Sequence, residues 1–493
     1  MKKIIYSFVT AALILLTSCI DLQPESELTY NGYWNSEEAV KAAQIGIYSK
    51  FRDYDETLWR MGEIRSDIWG GSTLETAFDT ELMINDISST KVYFSDWANL
   101  YGFIHNLNDF IKNAPTVAFR NENQKNQLIG QVYGIRAYTY YTMLKAWGDV
   151  PISTEPLLEV DLMKLKKKRA PKTEVMAQVK SDIAKSLEYF GTDNSQWDGK
   201  STYWSKAATL ALKGDAFLWS GKVLNGGNAD FQEAKSALQA VTGYSLADWN
   251  SLWGVANERN KEFIFSFDYQ QGQKNSFYGA RTTAAANYIL NLFDENATAL
   301  TNVPLYGTAI TVIEGANRYS PSTKMLNMLS DKKDKRYNTF FRMYNADGKY
   351  VASILYKFLG PVNTSGIRES NNNLPLYRYA DVLLLLAEAK NQLNEDPSAE
   401  INSVRQRAYA DNYAGNEFVN GTKEANAKAI LDERLKEFAG EGKRWWDLVR
   451  AGDDYLYNEV PTMTKATAYK IYYPLSSSML ANDSELEQTQ GYN

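Results

Sequence analysis

Three glutamates near the carboxyl end of the chain have a spacing that could support acid–base chemistry. Glu433, Glu437 and Glu441 recur at every fourth position, so they share one face of a predicted helix. Two carboxyl groups that face each other across a sugar are the minimum that a glycosidase requires. Arg434 and Arg444 stand among them, however, and opposite charges at this spacing usually form ion networks. We therefore predict that these glutamates are structural and that the protein is not an enzyme, with a glycosidase as the less favoured alternative.

The inventory of other reactive side chains is narrow. His105 is the only histidine and Cys19 the only cysteine among the 493 residues. This excludes a metal cluster built on histidines or thiolates. Because His105 lies within an apolar helical stripe, we interpret it as a structural residue and not as the partner of a nucleophile. No cofactor is expected, although the Asp-rich loops leave a structural calcium ion open.

The aromatic content favours binding over catalysis. The chain contains 33 Tyr, 20 Phe and 12 Trp, and such rings offer an apolar face that stacks on a pyranose. Polar side chains nearby would satisfy the sugar hydroxyls. Two loop regions combine these features, one from Arg65 to Asp79 and one within the irregular stretch from Glu262 to Ser320. The candidate ligand-binding residues are Asp67, Trp69, Tyr269, Tyr278, Arg281, Asn287, Tyr288, Tyr306 and Tyr319.

Net charge argues against nucleic acid as a partner. The formal charge is −6 and the isoelectric point about 5.3, whereas binding to phosphates relies on clustered Lys and Arg. One basic run, Lys164 to Lys172, is interpreted as a solvated loop.

The amino-terminal segment predicts export and lipid anchoring. Met1-Lys2-Lys3 precedes an apolar run from Ile4 to Leu16, which is typical of a secretion signal and too short for a membrane span. The run ends in Leu16-Thr17-Ser18-Cys19, where small residues precede a cysteine as a lipoprotein signal peptidase requires. We predict a signal peptide over residues 1–18 and a lipidated Cys19. The alternative for Cys19 is a buried thiol that packs as a small apolar residue.

Apolar periodicity predicts a mainly helical chain. Consecutive helices with short connections indicate antiparallel pairs, as in tetratricopeptide arrays. One strand-like run, Glu262 to Phe267, interrupts the pattern. The predicted helices span about Ser36–Phe51, Phe94–Asn113, Asn121–Trp147, Thr173–Phe190, Ser205–Asn225, Asp230–Val241, Ser322–Leu329, Arg378–Leu393, Ser398–Ala410 and Lys423–Ala439.

Several motifs together resemble those of one family. They are Ser36-Glu37-Glu38-Ala39, Arg136-Ala137-Tyr138, Gly148-Asp149-Val150-Pro151, Tyr377-Arg378-Tyr379-Ala380-Asp381-Val382 and Gly440-Glu441-Gly442. In this combination and order the chain resembles the SusD/RagB proteins over nearly its whole length after Cys19.

The resemblance implies a tetratricopeptide-like scaffold of helical pairs with a loop-rich ligand-binding face and a few short strands. It implies one compact unit formed by residues 19–225 and 226–493. It further implies a lipoprotein on the exterior of the outer membrane that captures oligosaccharides and delivers them to a SusC-like, TonB-dependent barrel. Capture of oligopeptides, as in RagB-like members, is the alternative.

Overall fold

The computed structural model describes residues 30–91, 93–158, 166–302, 315–365 and 368–492. Cys19 and the predicted signal segment lie outside the described residues. In chain order, helices α1 to α18 span Tyr30–Tyr33, Glu37–Arg52, Asp55–Glu63, Thr80–Met83, Ala98–Asn113, Glu122–Trp147, Lys172–Phe190, Lys206–Val223, Gly227–Gln239, Phe277–Thr282, Ala286–Ile289, Thr323–Met328, Tyr379–Gln392, Ser398–Tyr409, Lys423–Phe438, Arg444–Ala451, Asp453–Glu459 and Ser477–Asn482.

Strands β1 to β4 span Phe263–Phe267, Phe340–Tyr344, Tyr350–Leu355 and Leu374–Arg378. Short 3-10 helices span Ala114–Thr116, Trp197–Gly199, Trp249–Ser251, Val255–Asn257, Leu300–Asn302, Lys335–Thr339, Ala410–Asn412 and Lys465–Ile471. The prediction of a mainly α chain with few short strands is confirmed. None of the helices in the described ranges combines the length and the apolar character that crossing a lipid bilayer requires.

Neighbouring helices pack as pairs and form the scaffold. Helix α6 packs against α7, and α8 packs against α9. Helix α9 also packs against α13. Glycines in α8 allow the close approach of α9. A Cβ atom on Gly214 would lie 2.4 Å from Leu238, and one on Gly221 would lie 2.3 Å from Phe231. Any larger residue at these two positions would therefore push the helices apart.

Local signals place several helix ends where the sequence predicts them. The Ser36 side chain accepts a hydrogen bond from the Ala39 amide and caps α2, as expected of an N-cap serine. Gly148 ends α6 with a φ of +71°, which a side chain would disfavour.

His105 has a structural contact, since its Nδ1 accepts a 3.0 Å hydrogen bond from the Leu157 amide.

The two sheets join segments that are distant in sequence. Strand β1 pairs antiparallel with β4, and β2 pairs antiparallel with β3. Only β1 is predicted from sequence, because β4 directly precedes α13 and shares its apolar pattern. All five residues of β1 are buried, so this strand lies inside the core.

Beneath these strands lies a buried ion network. Its centre is Arg378, whose guanidinium contacts Glu262 and Glu437 at 2.6 Å and Glu441 at 2.9 Å, with all four side chains fully buried. The wider network, which we call the buried ion network, comprises Glu262, Asp334, Arg336, Lys357, Arg378, Arg407, Glu433, Glu437 and Glu441. A second buried group of ion pairs joins Arg434 to Asp381 and Asp447, and Lys443 to Asp381.

The three glutamates with helical spacing belong to this network. Burial favours the neutral form of Glu437, but the surrounding Arg407, Arg378 and Arg336 outweigh it and hold the pKa of Glu437 far below its usual range. A glycosidase acid needs the opposite shift, a raised pKa that keeps its proton near neutral pH. The Glu433 carboxylate likewise forms ion pairs with Arg336 and Arg405, each at 2.7 Å. Their arrangement accords with a structural role.

The basic run is more ordered than the sequence indicates. Arg169 donates hydrogen bonds to the carbonyls of Trp147 and Asp149 and also to the carbonyl of Glu487 and the hydroxyl of Thr489. The described part of the run before α7 is a loop, and the Lys168 side chain there is 82% exposed, as the interpretation of a solvated loop expects. Arg169 differs from its neighbours, because its hydrogen bonds tie the chain after α6 to the carboxyl-terminal tail.

Replacing Arg444 should reduce stability more than ligand affinity. Arg444 bonds both oxygens of Asp67 at 2.8 Å, so Arg444→Met leaves a buried carboxylate that keeps only Lys324 as its cation. Loss of one partner of a buried pair costs about 3–5 kcal/mol, and urea unfolding should record that loss.

Two variants serve as controls. The double variant Asp67→Asn/Arg444→Met removes the stranded charge and should recover part of the loss. Lys213→Met breaks the more exposed Lys213–Glu233 pair and should change stability far less. An Arg444→Met protein as stable as wild type, or one that loses affinity with no loss of stability, would contradict the structural assignment.

Candidate ligand-binding face

The two loop regions singled out from sequence meet in the structure. The Gly71 amide donates to the Ser320 carbonyl at 3.1 Å, and the Phe78 amide donates to the Arg318 carbonyl at 3.2 Å. Asn317 reinforces the contact through its Oδ1, which accepts from the Leu74 amide at 3.0 Å. Residues 67–79, 281–290 and 315–321 thus form one surface, which we call the loop junction.

The interior of the loop junction is aromatic. Trp69 and Tyr319 are buried, and their ring centroids lie 5.9 Å apart. The Tyr319 hydroxyl donates a hydrogen bond to Asp79 at 2.7 Å, and the Asp79 carboxylate also accepts one from Arg60. Burial, followed by the Asp79 carboxylate, raises the pKa of Tyr319. The prediction that Trp69 and Tyr319 offer their faces to a ligand is wrong, because both rings are enclosed by the fold.

Tyr278 and Tyr269 are also placed inside. The Tyr278 ring stacks on Phe277 at 4.2 Å, and its hydroxyl donates to the Gly440 carbonyl at 2.6 Å. Tyr269 is buried in the same core. The predictions that Tyr278 and Tyr269 contact a ligand are therefore corrected. Both rings pack in the hydrophobic core, and this packing buries them.

Asp67 is an anchor of the loop and not a free hydrogen-bonding group. Burial would favour its neutral form, but Arg444 and Lys324 lower the pKa of Asp67 to about 2. Its side chain is only 3% exposed, so both carboxylate oxygens are committed to these cations. The prediction of Asp67 as a ligand contact is therefore corrected as well.

Three predicted residues do reach the surface of the loop junction. Arg281 and Tyr288 are partly exposed and Asn287 is exposed. Arg281 donates to Glu56 at 2.9 Å. Partial desolvation and the neighbouring Glu75 carboxylate raise the pKa of Tyr288, so its hydroxyl keeps its proton at neutral pH. Tyr306 lies outside the described residues.

The structure adds residues that the sequence did not single out. Phe78 is partly exposed and has cations on it, with the guanidinium carbons of Arg281 and Arg60 at 4.6 Å and 5.4 Å from the ring centroid. Arg318 pairs with Glu75 at 3.3 Å across the junction. Glu75 and Arg318 are 243 positions apart, so no local pattern could have paired them.

This arrangement suits binding. The Phe78 ring offers a stacking surface with cations beside it. The Tyr288 hydroxyl can donate a hydrogen bond, and the Glu75 carboxylate can accept one. In the part of the chain that the structure describes, no group of three or more His, Cys, Asp or Glu side chains is positioned to hold a metal ion.

Known proteins share this architecture. A profile described as the SusD family matches residues 251–492, and one described as starch-binding associating with outer membrane matches residues 19–214. SusD-like protein P38 of Formosa agariphila is 24% identical over 100% of this chain and 99% of its own length.

Two solved structures agree with the sequence matches. NanU of B. fragilis is 32% identical, with a TM-score of 0.86 over 96% of this chain and 100% of NanU. A SusD superfamily protein of Bacteroides vulgatus is 31% identical, with a TM-score of 0.84 over 93% of this chain and 100% of its own. The fold, the motifs and these similarities lead to one conclusion: the chain belongs to the SusD/RagB family.

Proposed function

We propose that the protein is a cell-surface nutrient-binding lipoprotein that captures oligosaccharides at the loop junction. The observation that carries the proposal is a set of partly exposed groups in the loop junction. Arg281 lies over the Phe78 ring, Arg318 pairs with Glu75, and the same Glu75 carboxylate neighbours Tyr288. The starch-binding description of the family profile over residues 19–214 supports the same class of ligand.

The chemistry of the loop junction explains how a sugar would be held. The apolar face of a pyranose stacks on an aromatic ring, while its hydroxyls exchange hydrogen bonds with arginine, carboxylate and amide groups. Arg281 and Arg318 are already oriented by Glu56 and Glu75, so little side-chain entropy is lost when a ligand binds.

Delivery to a SusC-like, TonB-dependent barrel is the second part of the proposal. A binding protein that is anchored beside a transporter raises the local concentration of ligand without any catalytic step. The family profile associated with the outer membrane supports that location.

Two substitutions at the loop junction should weaken glycan binding. Tyr288→Ala removes a stacking and hydrogen-bonding group, and Arg318→Ala removes a charged donor. Each should raise Kd about tenfold, or about 1.4 kcal/mol. Isothermal titration of protein that lacks residues 1–19 would measure this against malto-, laminari-, xylo- and galacturono-oligosaccharides, with a tryptic digest of casein as the peptide arm.

Matched controls lie in the helical scaffold. Tyr189→Ala removes a partly buried ring that stacks on Tyr133 at 5.7 Å, and Lys213→Ala breaks a surface ion pair. Both should bind glycans as wild type does. Heat with the peptide digest alone would move the assignment to oligopeptide capture, and release of reducing sugar by the purified protein would establish a glycosidase.

Lipid anchoring depends on Cys19, which lies outside the described residues. Cys19→Ser should abolish metabolic labelling with radioactive palmitate and shift the protein from the membrane fraction to the soluble fraction, since acyl chains supply the membrane affinity. Ser26→Ala leaves the Leu16-Thr17-Ser18-Cys19 sequence intact and serves as the control. Unchanged labelling in Cys19→Ser would rule out this anchor.

A further inference from the structure

A second cleft lies apart from the loop junction. It has a volume of about 670 Å³ and is formed by the 3-10 helix Trp249–Ser251, the 3-10 helix Lys335–Thr339 and the segment that follows β3. Binding clefts for small molecules usually measure about 300–1,000 Å³, so a sugar ring fits. The pocket beside the buried Lys145 measures only about 60 Å³, which is room for a few water molecules.

The walls of this cleft carry two accessible aromatic side chains. Tyr356 is 40% exposed, and among the described residues its side chain has no hydrogen bond or ring contact. Trp253 is half-buried and lines the same cleft. A single exposed aromatic residue is ordinary, but two that flank one cleft offer a surface on which an apolar ring face can lie.

The Trp253 ring is fixed in place by the core. It packs edge-on against Trp249 at 5.5 Å and Phe358 at 5.3 Å. The Lys357 ammonium lies 4.8 Å from its centroid and donates to Glu441 at 2.7 Å. The buried ion network therefore orients this ring, and binding would not have to order it.

Unused hydrogen-bonding groups lie in the same walls. The indole Nε1 of Trp253 and the hydroxyl of Thr339 are buried and have no hydrogen-bond partner in the described residues. Buried polar atoms are costly to leave unsatisfied, so these two mark a part of the wall that the fold alone does not complete. Asn250 and Asn338 add exposed amides at the rim. Among the described residues that line the cleft, none is a carboxylate.

We infer that this cleft is a second saccharide-binding site, in which a sugar ring stacks between Tyr356 and Trp253. The inference rests on the proposed function of the protein. Strand β3 connects the two sites, because Ser353 accepts a hydrogen bond from Asn317 of the loop junction and Tyr356 follows three positions later. A polysaccharide that engaged both sites would gain avidity.

Titration of variants separates the two sites. With the oligosaccharide of the panel that binds wild type most tightly, we expect two sites per chain. Tyr356→Ala should weaken only the cleft, Tyr288→Ala should weaken only the loop junction by the tenfold given above, and the double variant should weaken both sites. Tyr413→Ala, a partly exposed tyrosine outside the cleft, should bind as wild type does.

A direct probe guards against indirect effects of substitution. Protein labelled with 5-fluorotryptophan, with the Trp253 resonance assigned through Trp253→Phe, should show a shift of that resonance on titration in both wild type and Tyr288→Ala. One site in wild type, unchanged in Tyr356→Ala and with no shift at Trp253, would overturn the cleft while leaving the loop junction intact. If no glycan of the panel binds wild type, the proposed function fails and the second site fails with it.

Discussion

The structure depends on the need to neutralise Arg378 in the protein interior. An unpaired guanidinium inside a fold of this kind would cost several kcal/mol, so three carboxylates must converge on it. Those carboxylates come from the residue before β1 and from the end of α15 and the turn after it. The same ion pairs that join β4 to the residue before β1 therefore also fix the position of α15. One charge thus sets the relative positions of elements that lie more than 100 residues apart in the sequence.

The buried ion network, together with the residues that follow its glutamates in the chain, contacts both candidate binding surfaces. Arg444, which follows the network glutamates, holds Asp67 at the base of the loop junction, and Tyr278 reaches the Gly440 carbonyl from the other loop. On the other side, Lys357 joins Glu441 to the underside of the Trp253 ring. Irregular loops rarely keep a fixed shape by themselves, but loops anchored in a buried network can present preformed rings to a ligand. Buried ion pairs in this protein therefore help to hold the aromatic side chains of both candidate surfaces in place.

Sequence reasoning succeeded where the signal is local. Apolar periodicity and capping residues such as Ser36 located most of the long helices, and the family motifs identified the scaffold. It failed for α16, β4 and the β2–β3 pair, because these short elements are stabilised by partners distant in the chain. For the candidate binding face, the two loops named from sequence do meet in the structure, but several of the aromatic side chains named in them are buried. Trp69 and Tyr319 look identical to exposed aromatic residues in the sequence, and only the three-dimensional fold reveals that they pack on each other.

The central claim is that anchored loops form one preformed face that binds glycan. Hydrogen exchange measured by mass spectrometry, with and without a saturating oligosaccharide, tests it most directly because each segment reports separately. The account predicts slower exchange in residues 67–79, 281–290 and 315–321, with no change in α6 to α9. Protection confined to the helical scaffold, with the loop junction unchanged, would contradict it.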